Sequence, residues 1–110
     1  MPMDLESEKV KKLIATIVET AHPLRIVVFG SVARGEATEH SDVDLLVVMP
    51  DGVHRRKTGQ SIDMALLAAD CDVPTDVVVA TVGDLASHGN EPYYIYRDAL
   101  HEGKEVYRAA

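Results

Sequence analysis

Several features that would mark particular classes of protein are scarce in this sequence. It contains a single cysteine, Cys71, so no internal disulfide can form and a reducing, cytoplasmic setting is expected. No apolar run approaches the ~20 residues that a membrane-spanning helix requires. The first residues are acidic and lack the pattern of a signal peptide. We therefore expect neither a disulfide-stabilised secreted domain nor a membrane protein.

An excess of positive charge is also lacking. The 11 lysine and arginine residues are outnumbered by 18 aspartate and glutamate residues, which gives a formal net charge of −7. Proteins that grip a nucleic-acid backbone are usually basic, so direct binding of DNA or RNA is not expected. A nucleotide remains compatible with this charge, because bound Mg²⁺ can neutralise both carboxylates and a triphosphate.

Internal repeats, low-complexity tracts and linkers are absent as well, so the 110 residues are predicted to form one domain over 1–110. The apolar fraction of 46% and the charged fraction of 26% are ordinary for a globular protein. Apolar residues at helical spacing predict a first helix over Leu5–Ala21, capped by Asp4 or Ser7 and ended by Pro23.

Shorter segments alternate after this helix. Strands are predicted over 24–29, 43–49, 75–81 and 105–107, and helices over 31–36, 54–69, 82–87 and 93–101. This order predicts an α/β or α+β domain in which a mixed sheet packs against helices. It is not a Rossmann unit, because Gly30 is not followed by the GxGxxG spacing.

The most informative motif is Gly30-Ser31, then ten residues, then Asp42-Val43-Asp44. A glycine turn after a strand can bring backbone N–H groups against phosphate. Two carboxylates spaced i, i+2 point to one face of a strand and can reach a pair of metal ions. The competing interpretation is structural: Ser31 would cap a short helix, Asp42 would cap a turn, and Asp44 would be an exposed strand residue.

Asp76 is the best candidate for a third carboxylate. It stands at the start of the valine-rich third strand, and it would meet Asp44 if the two strands were neighbours. It would then act as general base or as a further metal ligand. The alternative is a cap in the turn at Pro74-Thr75-Asp76. Weaker acidic candidates fall on helices or in turns: Asp63, Asp70, Asp72 and Asp84.

Basic residues near the motif are harder to interpret. Arg34 can reach a triphosphate oxygen, or it can be a solvated arginine on a short helix. The cluster Arg55-Arg56-Lys57 opens a predicted helix, where positive charge opposes the helix dipole. It would contact a nucleotide phosphate or an acidic partner, or simply be solvated, and the sequence leaves its role undecided.

The arrangement resembles the polymerase-β-like nucleotidyltransferase superfamily, whose signature is Gly-Ser, ten residues, Asp-x-Asp and a later third acid. Here those positions are Gly30, Ser31, Asp42, Asp44 and Asp76. The fuller run from Phe29 to Ala37 and on to Val47 is similar to the minimal nucleotidyltransferase (MNT) branch. The resemblance implies a two-layer or three-layer domain, two Mg²⁺ ions held by the three aspartates, and transfer of AMP from ATP.

Many MNT proteins are antitoxins paired with a HEPN-domain RNase toxin, and characterised members adenylylate a tyrosine of the toxin. The resemblance therefore implies a cytoplasmic protein adenylyltransferase with ATP and a HEPN toxin as partners, and it leaves homo-oligomerisation open. Two alternatives stand beside it. One is an antitoxin that acts mainly by binding its toxin, and the other is a nucleotidyltransferase for a small molecule.

Overall fold

The fold was analysed in a computed structural model that describes residue 5 and residues 7–38, 40–71, 73–88 and 95–110. Four strands and five helices are found among these residues. In chain order they are α1 (Glu8–Ala21), β1 (Arg25–Phe29), α2 (Gly30–Ala33), β2 (Val43–Met49), α3 (Arg55–Ala68), β3 (Thr75–Thr81), α4 (Val82–His88), α5 (Ile95–Glu102) and β4 (Lys104–Arg108). The predicted sequence of elements is confirmed, and β2 and β3 have the predicted bounds.

The strands form one mixed sheet in the order β3-β2-β1-β4. β1 runs antiparallel to both β2 and β4, whereas β2 and β3 are parallel and are joined through α3. The pairing of β1 with β4 shifts in register between Ile26 and Val27, while β2 and β3 pair regularly along their whole length. Within the described part of the chain, β3 and β4 are the two edges of the sheet.

Helices cover both faces of the sheet, so the domain has three layers. On one face, α1 and α3 pack on alternate strand residues, with Leu13, Ile17, Leu45 and Ile62 fully buried. On the other face, α4 and α5 cover a smaller cluster that includes Leu46. The α+β class with a mixed sheet is thereby confirmed. Burial on both faces explains why β2 is apolar without interruption from Leu45 to Met49.

Local signals explain where α1 begins and ends. The Ser7 side chain accepts a hydrogen bond from the Val10 N–H, which confirms Ser7 as the cap, and the helix begins at Glu8 rather than at Leu5. His22 takes a left-handed conformation just before Pro23 and ends the helix. The alternative cap, Asp4, lies outside the described residues.

No helix in the described ranges is both long enough and apolar enough to cross a bilayer.

Candidate active site

The motif residues meet at one end of the sheet. β1 ends there with Phe29, and β2 and β3 begin there. The strand register places Phe29 opposite Asp44 and Asp44 beside Asp76. The sequence predicts that Asp76 meets Asp44 if their two strands are neighbours. The direct parallel pairing of β2 with β3 fulfils this condition.

Gly30 connects β1 to the short helix α2 with a φ of +72°, a conformation that favours glycine. A Cβ atom at this position would overlap the carboxylate of Asp44. The glycine is therefore required twice, once by its backbone angle and once by the close approach of an acidic side chain.

Ser31 does not cap α2. The cap position of this helix is Phe29, and no side-chain hydrogen bond caps its first turn. The interpretation of Ser31 as a helix cap is wrong, because the helical turn begins one residue before it, at Gly30. Ser31 instead lies within the turn that follows β1, and its carbonyl accepts a hydrogen bond from the Glu36 N–H at 2.9 Å.

Asp44 and Asp76 belong to one face of the sheet, and Asp42 lies just before β2 begins. Asp44 alternates with Leu46, and Asp76 alternates with Val78 and Ala80, on the face covered by α4 and α5. Asp76 is a strand residue paired with β2, so its interpretation as a turn cap is wrong; Thr75 holds that turn by donating its hydroxyl to the Val73 carbonyl. Asp42 and Asp76 are exposed, and Asp44 is half-buried.

The surroundings of Asp44 disfavour the charged form of its carboxyl group. Its partial burial raises the pKa of the Asp44 carboxyl above the ordinary value, and the charges of Asp76 and Asp42 raise it further. The Arg34 guanidinium lowers the pKa and only partly offsets these effects. The site therefore holds negative charge at a cost in free energy, which a cation would relieve.

This cost predicts a pH-dependent change in stability. Because the pKa of Asp44 is higher in the folded chain than in the unfolded one, the folded chain binds more protons between the two values, and stability falls as pH rises through that window. We expect Asp44→Asn to be more stable than the wild type at neutral pH, with the difference vanishing in acid. Urea denaturation across the acidic range measures it.

Asp70→Asn is the control for this measurement, because it removes the charge of an exposed aspartate outside the site. An equal gain in the free energy of unfolding for both variants would show that net charge, rather than the surroundings of Asp44, causes the effect.

Arg34 lies at the end of α2, where it forms ion pairs rather than pointing freely into solvent. Its Nε atom is 3.2 Å from Glu36, and its Nη1 atom is 3.5 Å from Glu102 at the end of α5. These carboxylates, Glu36 first, raise the pKa of Arg34. Sequence reasoning missed Glu102, which lies 68 residues further along the chain. No local pattern could have indicated this contact.

The donor set suits a magnesium ion that shares its ligands with a substrate. Among the described residues, no three acidic, histidine or cysteine side chains converge closely enough to hold a metal by themselves. Mg²⁺ in phosphoryl-transfer sites is commonly held by one or two carboxylates together with substrate phosphates and water. Asp42, Asp44 and Asp76 fit that requirement, because burial and the charges of Asp76 and Asp42 raise the pKa of Asp44.

One residue of the basic cluster at the start of α3 has a structural role. Arg55 lies 3.2 Å from Asp84. Asp84 and Thr81 cap α4 reciprocally: the Thr81 N–H donates to the Asp84 carboxylate, and the Asp84 N–H donates to the Thr81 hydroxyl. Arg55 thus ties α3 to α4. This contact explains Arg55, while Arg56 and Lys57 are exposed.

Comparisons with known proteins show the family and the fold of the chain. The Nucleotidyltransferase domain family matches residues 8–104, so the chain belongs to that family. No curated protein is similar enough in sequence to count as a match.

Solved structures share the fold over most of the chain. A protein assigned as a minimal nucleotidyltransferase is 32% identical, with a TM-score of 0.61 over 93% of this chain and 95% of that one. A protein from Sulfolobus solfataricus assigned as a nucleotidyltransferase is 16% identical, with a TM-score of 0.62 over 92% and 78%. A toxin–antitoxin structure with AMP-PNP is 21% identical, with a TM-score of 0.59 over 94% and 75%. The first similarity supports the MNT branch, and the other two show the fold.

Proposed function

We propose that this nucleotidyltransferase transfers AMP from ATP to a hydroxyl group of another protein, and that its acceptor is a tyrosine of a HEPN-domain toxin. The observation that carries the proposal is the pairing of Asp44 with Asp76 on neighbouring parallel strands, with Asp42 two residues before Asp44 and Gly30 pressed against the Asp44 carboxylate. A protein that only binds its partner has no need for such an arrangement.

Asp42, Asp44 and Asp76 would hold Mg²⁺, which when bound would lower the pKa of the acceptor hydroxyl and neutralise charge on the triphosphate. Asp76 is the exposed acid on the edge strand, and we assign it to accept the proton of the attacking hydroxyl. Asp44, held between β1 and β3, provides the rigid centre of the acidic group.

The turn after β1 is the proposed phosphate-binding element. Gly30 has no side chain to obstruct a close approach, and the backbone at Ser31 follows directly. Arg34 at the end of the same short helix supplies a positive charge that acts on Asp44. Its exposed ion pairs with Glu36 and Glu102 are weak enough to exchange for phosphate oxygens.

Two features support a protein as the acceptor. The acids lie at an exposed end of the sheet, with Asp42 and Asp76 accessible to a large partner. Among the structures that share the fold is a toxin–antitoxin with AMP-PNP, an ATP analogue. This likeness and the MNT resemblance support ATP as the donor and a toxin as the partner.

The test is incubation of the chain with labelled ATP, Mg²⁺ and a purified HEPN toxin, with wild type compared against Asp42→Asn/Asp44→Asn. We expect label on the toxin with wild type only, and loss of toxin RNase activity only where label appears. Glu19→Gln/Asp70→Asn removes the same amount of charge at exposed positions outside the site and should behave as wild type. Equal neutralisation by the double aspartate variant without label would establish the binding antitoxin instead.

A further inference from the structure

The two edges of the sheet are protected very differently. β4, at one edge, carries Lys104, Glu105 and Arg108 and pairs with β1 through an irregular register. Charged side chains and register irregularities are the features by which natural proteins prevent an edge strand from pairing with another chain. β4 is thus an edge that stays unpaired.

β3, at the other edge, has a regular register and only one charged residue. Its sequence, Thr75–Thr81, is regular, rich in valine, and carries one charge, at Asp76. Val77, Val78 and Val79 are only half-buried, whereas the facing residues of β2 are buried. An open, regular and apolar edge of this length is unusual for a strand that remains unpaired.

The hydrogen-bonding groups of β3 point outwards at alternate residues. The Val43 N–H donates to the Pro74 carbonyl at 2.9 Å, so the even-numbered residues of β3 bond to β2 in the parallel ladder. The odd-numbered residues therefore direct their N–H and C=O groups to the open edge. Thr81 already has a partner there, since its N–H donates to Asp84. Within the described part of the chain, Val77 and Val79 are the odd-numbered residues in the interior of β3, and they can pair with another strand.

The helix beside this edge, α3, carries two large apolar side chains that are exposed. A groove of about 450 Å³ runs between α3 and β3 and is lined by Gln60, Asp63, Val77 and Val79 among others. Met64 and Leu67 follow Gln60 and Asp63 by four residues each, so they lie on the same flank of α3. Their exposed fractions are 73% and 83%, high values for large apolar side chains.

Charge along the groove changes sign from one end to the other. α3 runs opposite to β3, because it connects two parallel strands. Arg56, at the start of α3, therefore lies towards the end of β3, and Asp63 lies towards its beginning. If two copies of β3 paired antiparallel about a two-fold axis at Val78, the positive end of one groove would meet the negative end of the other. Such a surface is complementary to itself.

We propose that β3 and the adjoining flank of α3 form a homodimer interface in which two β3 strands pair antiparallel and join the two sheets into one. Val77 of each copy pairs with Val79 of the other, and Val78 lies on the two-fold axis. Arg56 of each copy faces Asp63 of the other, and Met64 and Leu67 become covered. Asp42 and Asp44 lie outside the paired strands, whereas Asp76 belongs to β3 and would lie opposite Ala80 of the other copy.

Sedimentation equilibrium of the purified chain over a range of concentrations tests the interface. We expect the wild type to dimerise reversibly and Val79→Pro, which removes an outward N–H but no bond to β2, to raise the dimer dissociation constant by about tenfold or more. Far-UV circular dichroism verifies that the variant is folded.

A charge exchange keeps the test independent of any effect of proline on folding. Arg56→Asp should weaken the dimer, and Arg56→Asp/Asp63→Arg should restore it, because the two positions face each other across the axis. Lys9→Asp makes the same change on the exposed side of α1 and should leave the dissociation constant unchanged. A wild type that stays monomeric throughout, a dimer indifferent to these variants, or an edge used only by a different protein would each overturn the proposal.

Discussion

Asp44→Asn is expected to lower the rate of nucleotidyl transfer by about a thousandfold, equivalent to about 4 kcal/mol of transition-state stabilisation. Asp44 is the acid in contact with both other parts of the site: it is paired with Asp76 across the sheet and lies against Gly30. Asparagine has nearly the same shape but cannot supply the negative charge that binds a metal ion. The measurement is single-turnover transfer of label from ATP at saturating Mg²⁺.

Stability distinguishes this effect from damage to the fold. The pKa of Asp44 is raised in the folded chain, so loss of its charge should not destabilise the variant at neutral pH. Asp70→Asn, outside the site, should retain the wild-type rate. A rate for Asp44→Asn within about tenfold of wild type would show that the acid is not part of the reacting centre.

Gly30→Ala is expected to have the largest combined effect on stability and activity. Left-handed backbone at a residue with a Cβ atom costs about 1–3 kcal/mol, and the added carbon would also displace the Asp44 carboxylate. A displacement of about 1 Å at a reacting centre can reduce the rate about a hundredfold. Urea denaturation and the same transfer assay measure the two consequences separately.

Gly35→Ala separates the free-energy cost of the left-handed backbone from the effect of the contact with Asp44. Gly35 has nearly the same backbone angle, with a φ of +73°, but a Cβ atom there would meet nothing within 4 Å. It should lose stability and keep most of its transfer rate. If the two alanine variants lost the same rate, the close approach of Gly30 to Asp44 would have no importance for the reaction.

The sequence predicted the central part of the site because its signals are local. β2 and β3 are short apolar runs bounded by loops, and the Gly30-Ser31 turn and Asp42-Val43-Asp44 lie on either side of one loop. Even Asp76 could be proposed, since two buried strands joined by a helix are commonly parallel neighbours. Gly59, a weak helix former, lies inside α3, yet the helix continues through it and packs on β3.

Other features depend on contacts between distant parts of the chain. The order β3-β2-β1-β4 places the last strand beside the first, and Arg25 of β1 pairs with Glu105 of β4. The contact between Arg34 and Glu102 has the same origin. The predicted beginning of the last helix, at Tyr93 and Tyr94, lies outside the described residues. The ion pair of Arg55 with Asp84 likewise joins residues that are 29 positions apart.

The direction of β1 determines which end of the sheet can perform chemistry. In a wholly parallel sheet, the turn after β1 would lie at the carboxyl ends of the strands, where such folds usually bind ligands. Asp44 and Asp76 stand at the amino ends of β2 and β3, which are seven residues long, a separation of about 20 Å. Because β1 runs antiparallel to β2, the end of β1 lies beside the beginning of β2 and this separation does not arise. A circular permutant that keeps the strand directions should therefore retain the site, whereas a redesign with β1 inverted should fold without it.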